Sequence, residues 1–177
     1  MRLEYSIAGK LWWITDFLPY DMYKGIHNAI IKERKKINLH SSKGIWADHL
    51  TNNIIPPLRN SVKNYPPFEK LKTLVKHNAY FHIKEVKEVT TNIHYMRKGS
   101  GINWHDDRGW KYGATYYLNR RWNNQFGGEF MFTNEGGHGW IAPVANSLVI
   151  VKAPITHKVN PVLSPTVPRI SVQLFMK

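Results

Sequence analysis

Apolar and polar positions along the chain change rhythm once, near residue 77. Within residues 3–18 the apolar groups are short, Leu11, Trp12, Trp13 and Ile14 and then Phe17 and Leu18, and they predict a strand ending near Pro19. Met22, Ile26, Ala29 and Ile30 recur at helical spacing through Asp21–Arg34. Pro19 stands near the start of that helix, and the basic run Lys32–Lys36 closes it where cations suit the dipole. A second short helix is expected over Trp46–Ile55, stopped by Pro56 and Pro57. A third is expected over Pro67–Val75, opened by Pro66 and Pro67, with Phe68, Leu71 and Val75 on one face.

From Asn78 onward the pattern becomes short runs of β-branched and aromatic residues between Gly, Asn and Pro clusters. The predicted strands are Tyr80–Ile83, Val86–Tyr95, Thr115–Leu118, Glu129–Phe132, Ser147–Val151, His157–Val162 and Arg169–Phe175. No helical segment intervenes, so these runs fit a double-sheet jelly roll (a double-stranded β-helix, cupin-like) better than a parallel sheet. The fold expected is mainly β, with N-terminal helices packed on one sheet. No repeat or linker divides the chain, so residues 1–177 are read as one domain. Residues 1–77 would be the N-terminal strand and supporting helices, and 78–177 the jelly-roll core.

Composition narrows the chemistry. A chain of 177 residues is long enough to bury roughly two thirds of its unfolded surface without staples. It has no cysteine, which excludes a disulfide framework, a thiolate metal site, an iron–sulfur cluster and a cysteine nucleophile. Any metal would be held by His, Asp or Glu. Neither a membrane span nor a signal h-region is indicated, so a cytoplasmic protein is expected. The net charge of +13 favours anionic partners, but Lys and Arg are scattered apart from Lys32–Lys36, and scatter does not define a nucleic-acid arm.

Three elements of the β region carry candidate chemistry: His105-Asp106-Asp107, His157 in a later strand, and Arg169-Ile170-Ser171 opening the last strand. An H-x-D triplet puts two side chains on one side of an extended backbone, so His105 and Asp107 can face inward while Asp106 points away. His157 would be a core histidine by default, but from a neighbouring strand it completes a set of two His and one carboxylate. Such a set leaves positions open and suits a non-heme Fe(II) oxygenase. A zinc hydrolase could use the same ligands but has no use for a guanidinium nearby. Arg169 offers a planar fork for a carboxylate, with Ser171 on the same strand face.

The stretch Thr90–Met176 resembles the catalytic core of the 2-oxoglutarate and Fe(II)-dependent dioxygenases, in particular the prolyl 4-hydroxylase-like branch. Tyr95 precedes the H-x-D by about ten residues, as in that branch. Thr115-Tyr116-Tyr117-Leu118-Asn119, then Trp122 and Gly127-Gly128-Glu129, is similar to its Tyr-Leu-Asn strand and Gly-Gly turn, and Phe17-Leu18-Pro19 to its N-terminal entry. The resemblance implies a prolyl hydroxylase with Fe(II) on His105, Asp107 and His157 and with Arg169 on the distal carboxylate of 2-oxoglutarate. It also implies Tyr95 and Tyr117 beside that cosubstrate, dioxygen as oxidant, and ascorbate as an optional reductant. Many secreted prolyl 4-hydroxylases carry Lys where this chain has Arg169, so it looks more like the small cytosolic hydroxylases.

The substrate implied is a peptide or protein, acidic if the +13 charge steers it. Hydroxylation of another side chain or of a free amino acid is one alternative, and oxidative demethylation of nucleic acid another. Alkylation-repair demethylases carry a second Arg shortly after the first, and Ser171–Lys177 contains none. A non-catalytic jelly-roll binding module is a further alternative. Gly136-Gly137-His138-Gly139 is read as a loop tip with His138 in solvent, and His49, His82 and His94 carry no independent signal.

Overall fold

A computed structural model describes residues 1–33, 38–61, 66–77, 80, 83 and 86–177. The N-terminal strand expectation resolves into a hairpin: β1 (Arg2–Ile7) and β2 (Leu11–Thr15) pair antiparallel. The turn between them is closed by the Lys10 N–H on the Ile7 carbonyl at 2.9 Å. Helix α1 (Tyr20–Glu33) follows within a residue of the expected bounds, and Arg34–Lys36 of the basic run lie outside the described residues. Helix α2 (Pro66–Lys76) buries Phe68, Leu71 and Val75, the face that the spacing singled out. The helix expected over Trp46–Ile55 is a correction. That segment holds only a single 3₁₀ turn at Asp48–Leu50, because Asp48, His49, Thr51, Asn52 and Asn53 give no apolar stripe long enough to stabilise an α-helix.

Around that turn run β3 (His40–Ser41) and β4 (Leu58–Ser61), which the sequence pattern did not show. The chain then forms β5 (Val89–Met96), β6 (Ile102–His105), β7 (Tyr112–Tyr117), β8 (Phe130–Asn134), β9 (Gly137–Ile141), β10 (Leu148–Lys152), β11 (His157–Val159) and β12 (Arg169–Met176). Phe81 and His82 of the expected strand Tyr80–Ile83 lie outside the described residues, and Ile83 is not in a strand. The segment read as a loop tip is corrected too, since Gly137–Ile141 pairs with β8 in a tight hairpin. Glycines weaken strand propensity; here Phe132 lies against Gly139, so an aromatic ring supplies the packing the missing side chain cannot.

The strands form two sheets facing one another, one with eight strands in the order β1-β2-β10-β7-β12-β5-β4-β3 and one with four in the order β6-β11-β8-β9. This is the jelly roll expected, with one difference: four strands of the large sheet precede residue 77, so the N-terminal part completes the sheet as well as backing it. Alternation along each strand sorts the side chains. Ile93, Ala114, Tyr116, Leu148, Ile150, Val172, Leu174 and Met176 face α1 and α2 in the main core. Their neighbours Asn92, His94, Thr115, Val149, Val151 and Gln173 face the small sheet across an internal cavity. Asn146 fastens the N-terminal entry to this frame: its side chain binds both backbone groups of Leu18 and accepts the Tyr116 hydroxyl at 2.8 Å. No described helix is long and apolar enough to cross a membrane.

Candidate active site

His105 ends β6 and His157 opens β11, and the two strands pair with these residues directly opposite. Asp107, two positions past His105, swings back into the same space. Its carboxylate lies 3.8 Å from His105 Nε2 and 3.6 Å from His157 Nε2, and one candidate ligand atom from each residue lies within 4.8 Å of the others. Each imidazole uses its Nδ1–H on a carbonyl two residues back, His105 on Asn103 at 2.7 Å and His157 on Ile155 at 2.9 Å. Those bonds fix the tautomer and leave both Nε2 lone pairs aimed at the shared centre, the arrangement a metal needs. Burial, and then the neighbouring His105, hold His157 below the usual imidazole pKa, so it is neutral and ready to ligate at neutral pH. Phe130 stacks on the His157 ring at 5.0 Å and fixes its plane. Asp106 points away and pairs with Arg108 at 2.9 Å.

The site needs a glycine on β7. A Cβ on Gly113 would stand 2.6 Å from Asp107 Oδ2, so the missing side chain is the room the carboxylate occupies. Gly113→Ala should therefore displace Asp107 and weaken metal binding about 10- to 100-fold, the size seen when groups supporting a ligand are disturbed. Titration of the variant with Mn(II) checks this, and wild-type affinity would show that the carboxylate is positioned otherwise.

Arg169 is fully buried, a costly place for a cation without an anion. Its guanidinium folds back along β12, donating to Ser171 Oγ at 3.2 Å, to the Tyr117 hydroxyl at 3.4 Å and to Met96 Sδ at 3.4 Å. No described carboxylate pairs with it, and its Nε has no partner. Gly128, at φ +73°, leaves room for its stem, since a Cβ there would meet Arg169 Cδ at 3.0 Å. Burial raises the Tyr117 pKa, with Arg169 acting in the opposite sense, so Tyr117 stays a neutral phenol. Its oxygen accepts from Arg169, which leaves its own proton to donate. A buried guanidinium, a phenol and a hydroxyl around an unmatched positive charge form a receptor for one carboxylate.

Between these two centres lies a cavity of about 310 Å³. Register across β4, β5, β12 and β7 arranges its large-sheet wall in rows. Arg59, His94, Ser171 and Tyr117 form the first, Asn92, Gln173 and Thr115 the second, and Thr90, Phe175 and Gly113 the third, which abuts Asp107. His94, Arg59, Gln173 and Thr115 line the cavity directly, whereas Arg169, Ser171 and Tyr117 are not on its lining. The segment between β3 and β4 closes one side with Trp46 and Leu50. It is held there by Asn103, whose side-chain amide donates to the carbonyls of His49 and Asn52 at 3.0 Å each.

The structure thus brings His105, Asp107 and His157 into one cluster and Arg169, Ser171 and Tyr117 into another. Tyr95 is the exception. It opposes Ile170 and packs against the helix-side core that contains Ile93, so its expected place beside the cosubstrate is corrected. Met96, one residue on and directly opposite Arg169, occupies the inner position instead. A one-residue step along a strand reverses its face, and spacing from the H-x-D could not fix that parity across the intervening loop. Sequence reasoning also missed His94, Asn92, Arg59 and Gln173. For His94, Asn92 and Gln173 the only sequence signal is alternation with Ile93, Val172 and Leu174, legible once the pairing of β5 with β12 is known, and Arg59 is placed only by the pairing of β4 with β5.

Residues 91–177 match the sequence model of the 2OG-Fe(II) oxygenase superfamily. No curated protein matches the chain in sequence. Among solved structures the chain is similar to a Pseudomonas putida prolyl-4-hydroxylase, with a TM-score of 0.74 at 17% identity over 96% of this chain and 93% of that one. It is similar to a Trichoplax adhaerens prolyl hydroxylase in complex with a hypoxia inducible factor oxygen degradation domain peptide fragment, with a TM-score of 0.77 at 16% identity over 96% and 84%. It is similar to the viral collagen prolyl hydroxylase of Paramecium bursaria Chlorella virus-1, solved as a 2OG complex, with a TM-score of 0.66 at 13% identity over 96% of each chain.

Proposed function

We propose that this chain, whose residues 91–177 belong to the 2OG-Fe(II) oxygenase superfamily, hydroxylates a prolyl residue of a peptide or protein. The observation that carries the reading is an Nε2, Nε2 and carboxylate cluster on the lining of one cavity, with a fully buried, anion-less Arg169 beside the cavity-lining His94 row. His105, Asp107 and His157 would hold Fe(II), and Arg169, Tyr117 and Ser171 would take the distal carboxylate of 2-oxoglutarate. When bound, iron and 2-oxoglutarate supply oxidative decarboxylation coupled to insertion of one atom of dioxygen into a C–H bond.

The protein contributes orientation and exclusion of water. The Arg169 fork fixes one end of the cosubstrate, and the carbonyl-locked imidazoles fix the ligand directions at the other. Val149, Val151, Phe130, Val159 and Ile102 keep the metal side of the cavity apolar. Trp46 and Trp110 are the tryptophans on its lining and present faces on which a proline ring or extended backbone can rest. Trp104 and Trp140 are instead exposed and do not line it, and the Trp122 Nε1–H is spent on the Gly127 carbonyl. With Arg59 on the lining and a net charge of +13, acidic segments around the target are favoured.

Support for the prolyl assignment comes from the likeness of the whole fold to prolyl hydroxylases. The deciding assay offers proline-containing peptides, acidic and neutral, beside methylated oligonucleotides and free amino acids, following succinate release and product mass. A one-oxygen mass gain on proline, greater for acidic peptides, is expected. Formaldehyde from the oligonucleotide with no hydroxylated peptide would overturn the reading, as would oxygen gained only on another side chain or a free amino acid.

A further inference from the structure

His94 belongs to neither cluster, yet it is the cavity-lining side chain with the least explained environment. It is 2% exposed, and neither ring nitrogen has a hydrogen-bond partner. A buried polar group left unmatched is destabilising, so such a group implies a partner that arrives with a ligand or water. Its place in the sheet indicates which. His94 directly opposes Ser171 on the neighbouring strand, and Ser171 is where the Arg169 guanidinium comes to rest. Ser171 is thereby flanked by Tyr117 on one adjacent strand and His94 on the other, with neighbouring strands about 5 Å apart. Unlike Arg169, His94 reaches the cavity itself.

We propose that His94 is a cosubstrate-binding residue, donating a ring N–H to the distal carboxylate that Arg169 attracts, so that the chain selects a 2-oxo acid with a second carboxylate. This rests on the reading that the cavity takes 2-oxoglutarate. The role suits a neutral ring: burial, with Arg169 and then Arg59 adding to it, lowers the His94 pKa to about 3. A neutral imidazole beside two guanidinium groups supplies direction without a third repelling charge, and Trp46, with its ring centroid 5.3 Å away, holds it in place.

The test is calorimetric binding to the Mn(II)-loaded protein without dioxygen, using 2-oxoglutarate and 2-oxobutyrate, which shares the chelating end and lacks the distal carboxylate. Relative to wild type, His94→Phe should bind 2-oxoglutarate about tenfold or more weakly and 2-oxobutyrate about equally, because one bond to a charged group is lost. His94→Gln, which restores an N–H, should recover part of the loss. Unchanged 2-oxoglutarate affinity in His94→Phe, or equal weakening for both acids, would overturn the proposal. If His94→Phe does not fold, ¹⁵N-histidine spectra of the wild-type Zn(II) protein decide. The His94 ring signals, assigned by their absence from His94→Gln, should move with 2-oxoglutarate and stay still with 2-oxobutyrate, and still signals with both overturn it. A wild-type protein that does not prefer 2-oxoglutarate would sink the functional reading along with the proposal. Preference undiminished in His94→Phe would sink the role of His94 alone.

Discussion

Replacing Asp107 with alanine should abolish iron-dependent turnover of 2-oxoglutarate, while the same change at Asp106 should leave most of it. The two acids are neighbours of the same chemistry, but only Asp107 reaches the space between the two Nε2 atoms, at 3.8 and 3.6 Å. Without it, two neutral imidazoles remain. The metal site then loses its only negative ligand among the described residues and the group that compensates a divalent charge in a partly buried place. Asp106 is engaged with Arg108, whose side chain is 79% exposed, and a surface pair of that kind contributes about 0–1 kcal/mol. Metal titration followed by succinate release measures both variants. The opposite ranking would show that the wrong carboxylate has been assigned.

Arg169→Met should lose at least about 30-fold in 2-oxoglutarate affinity, since leaving one member of a desolvated charge pair unmatched costs about 2–5 kcal/mol. Its effect on the ligand-free fold should run the other way. In the absence of a carboxylate the guanidinium is a buried cation held by a hydroxyl, a phenol and a thioether, and replacing such a charge with an apolar chain is often neutral or stabilising. Thermal unfolding with and without 2-oxoglutarate separates the two effects. The variant should match or exceed the ligand-free wild type in Tm while losing the upward shift that the ligand gives. A Tm that falls sharply, with cosubstrate affinity retained, would make Arg169 a structural residue and remove the anchor from the proposed site.

Much of this protein was legible without coordinates because local periodicity is a local property. The apolar stripe of α2, the continuous apolar run of β10, the alternation of β12 and the H-x-D spacing each depend on neighbours only a few residues away. Those signals set the fold class, the positions of α1 and α2, and His105, Asp107, His157, Arg169 and Ser171 as site candidates, while the helix expected over Trp46–Ile55 is only a 3₁₀ turn. Where the local signal was weak the reading failed. Gly137–Ile141 is a strand because β8 offers it a ladder and Phe132 covers its glycine, and β3 and β4 exist because β4 can add to the edge of β5.

Only the tertiary structure decided what faces what. Tyr95 and Met96 are adjacent in sequence, and the pairing of Arg169 with Met96 sends one toward the helices and the other onto the guanidinium. The same register sets His94 and Gln173 on the cavity wall and brings Gly113 against Asp107. Side-chain period in a strand is two, so the face of each residue hangs on a register chosen by partners far along the chain, such as Ile93 for Val172 and Ile14 for Leu148. The sequence by itself determined which chemical groups the chain carries and that they lie on strands or directly beside them. Their convergence on one cavity follows from long-range pairing, which no local pattern encodes.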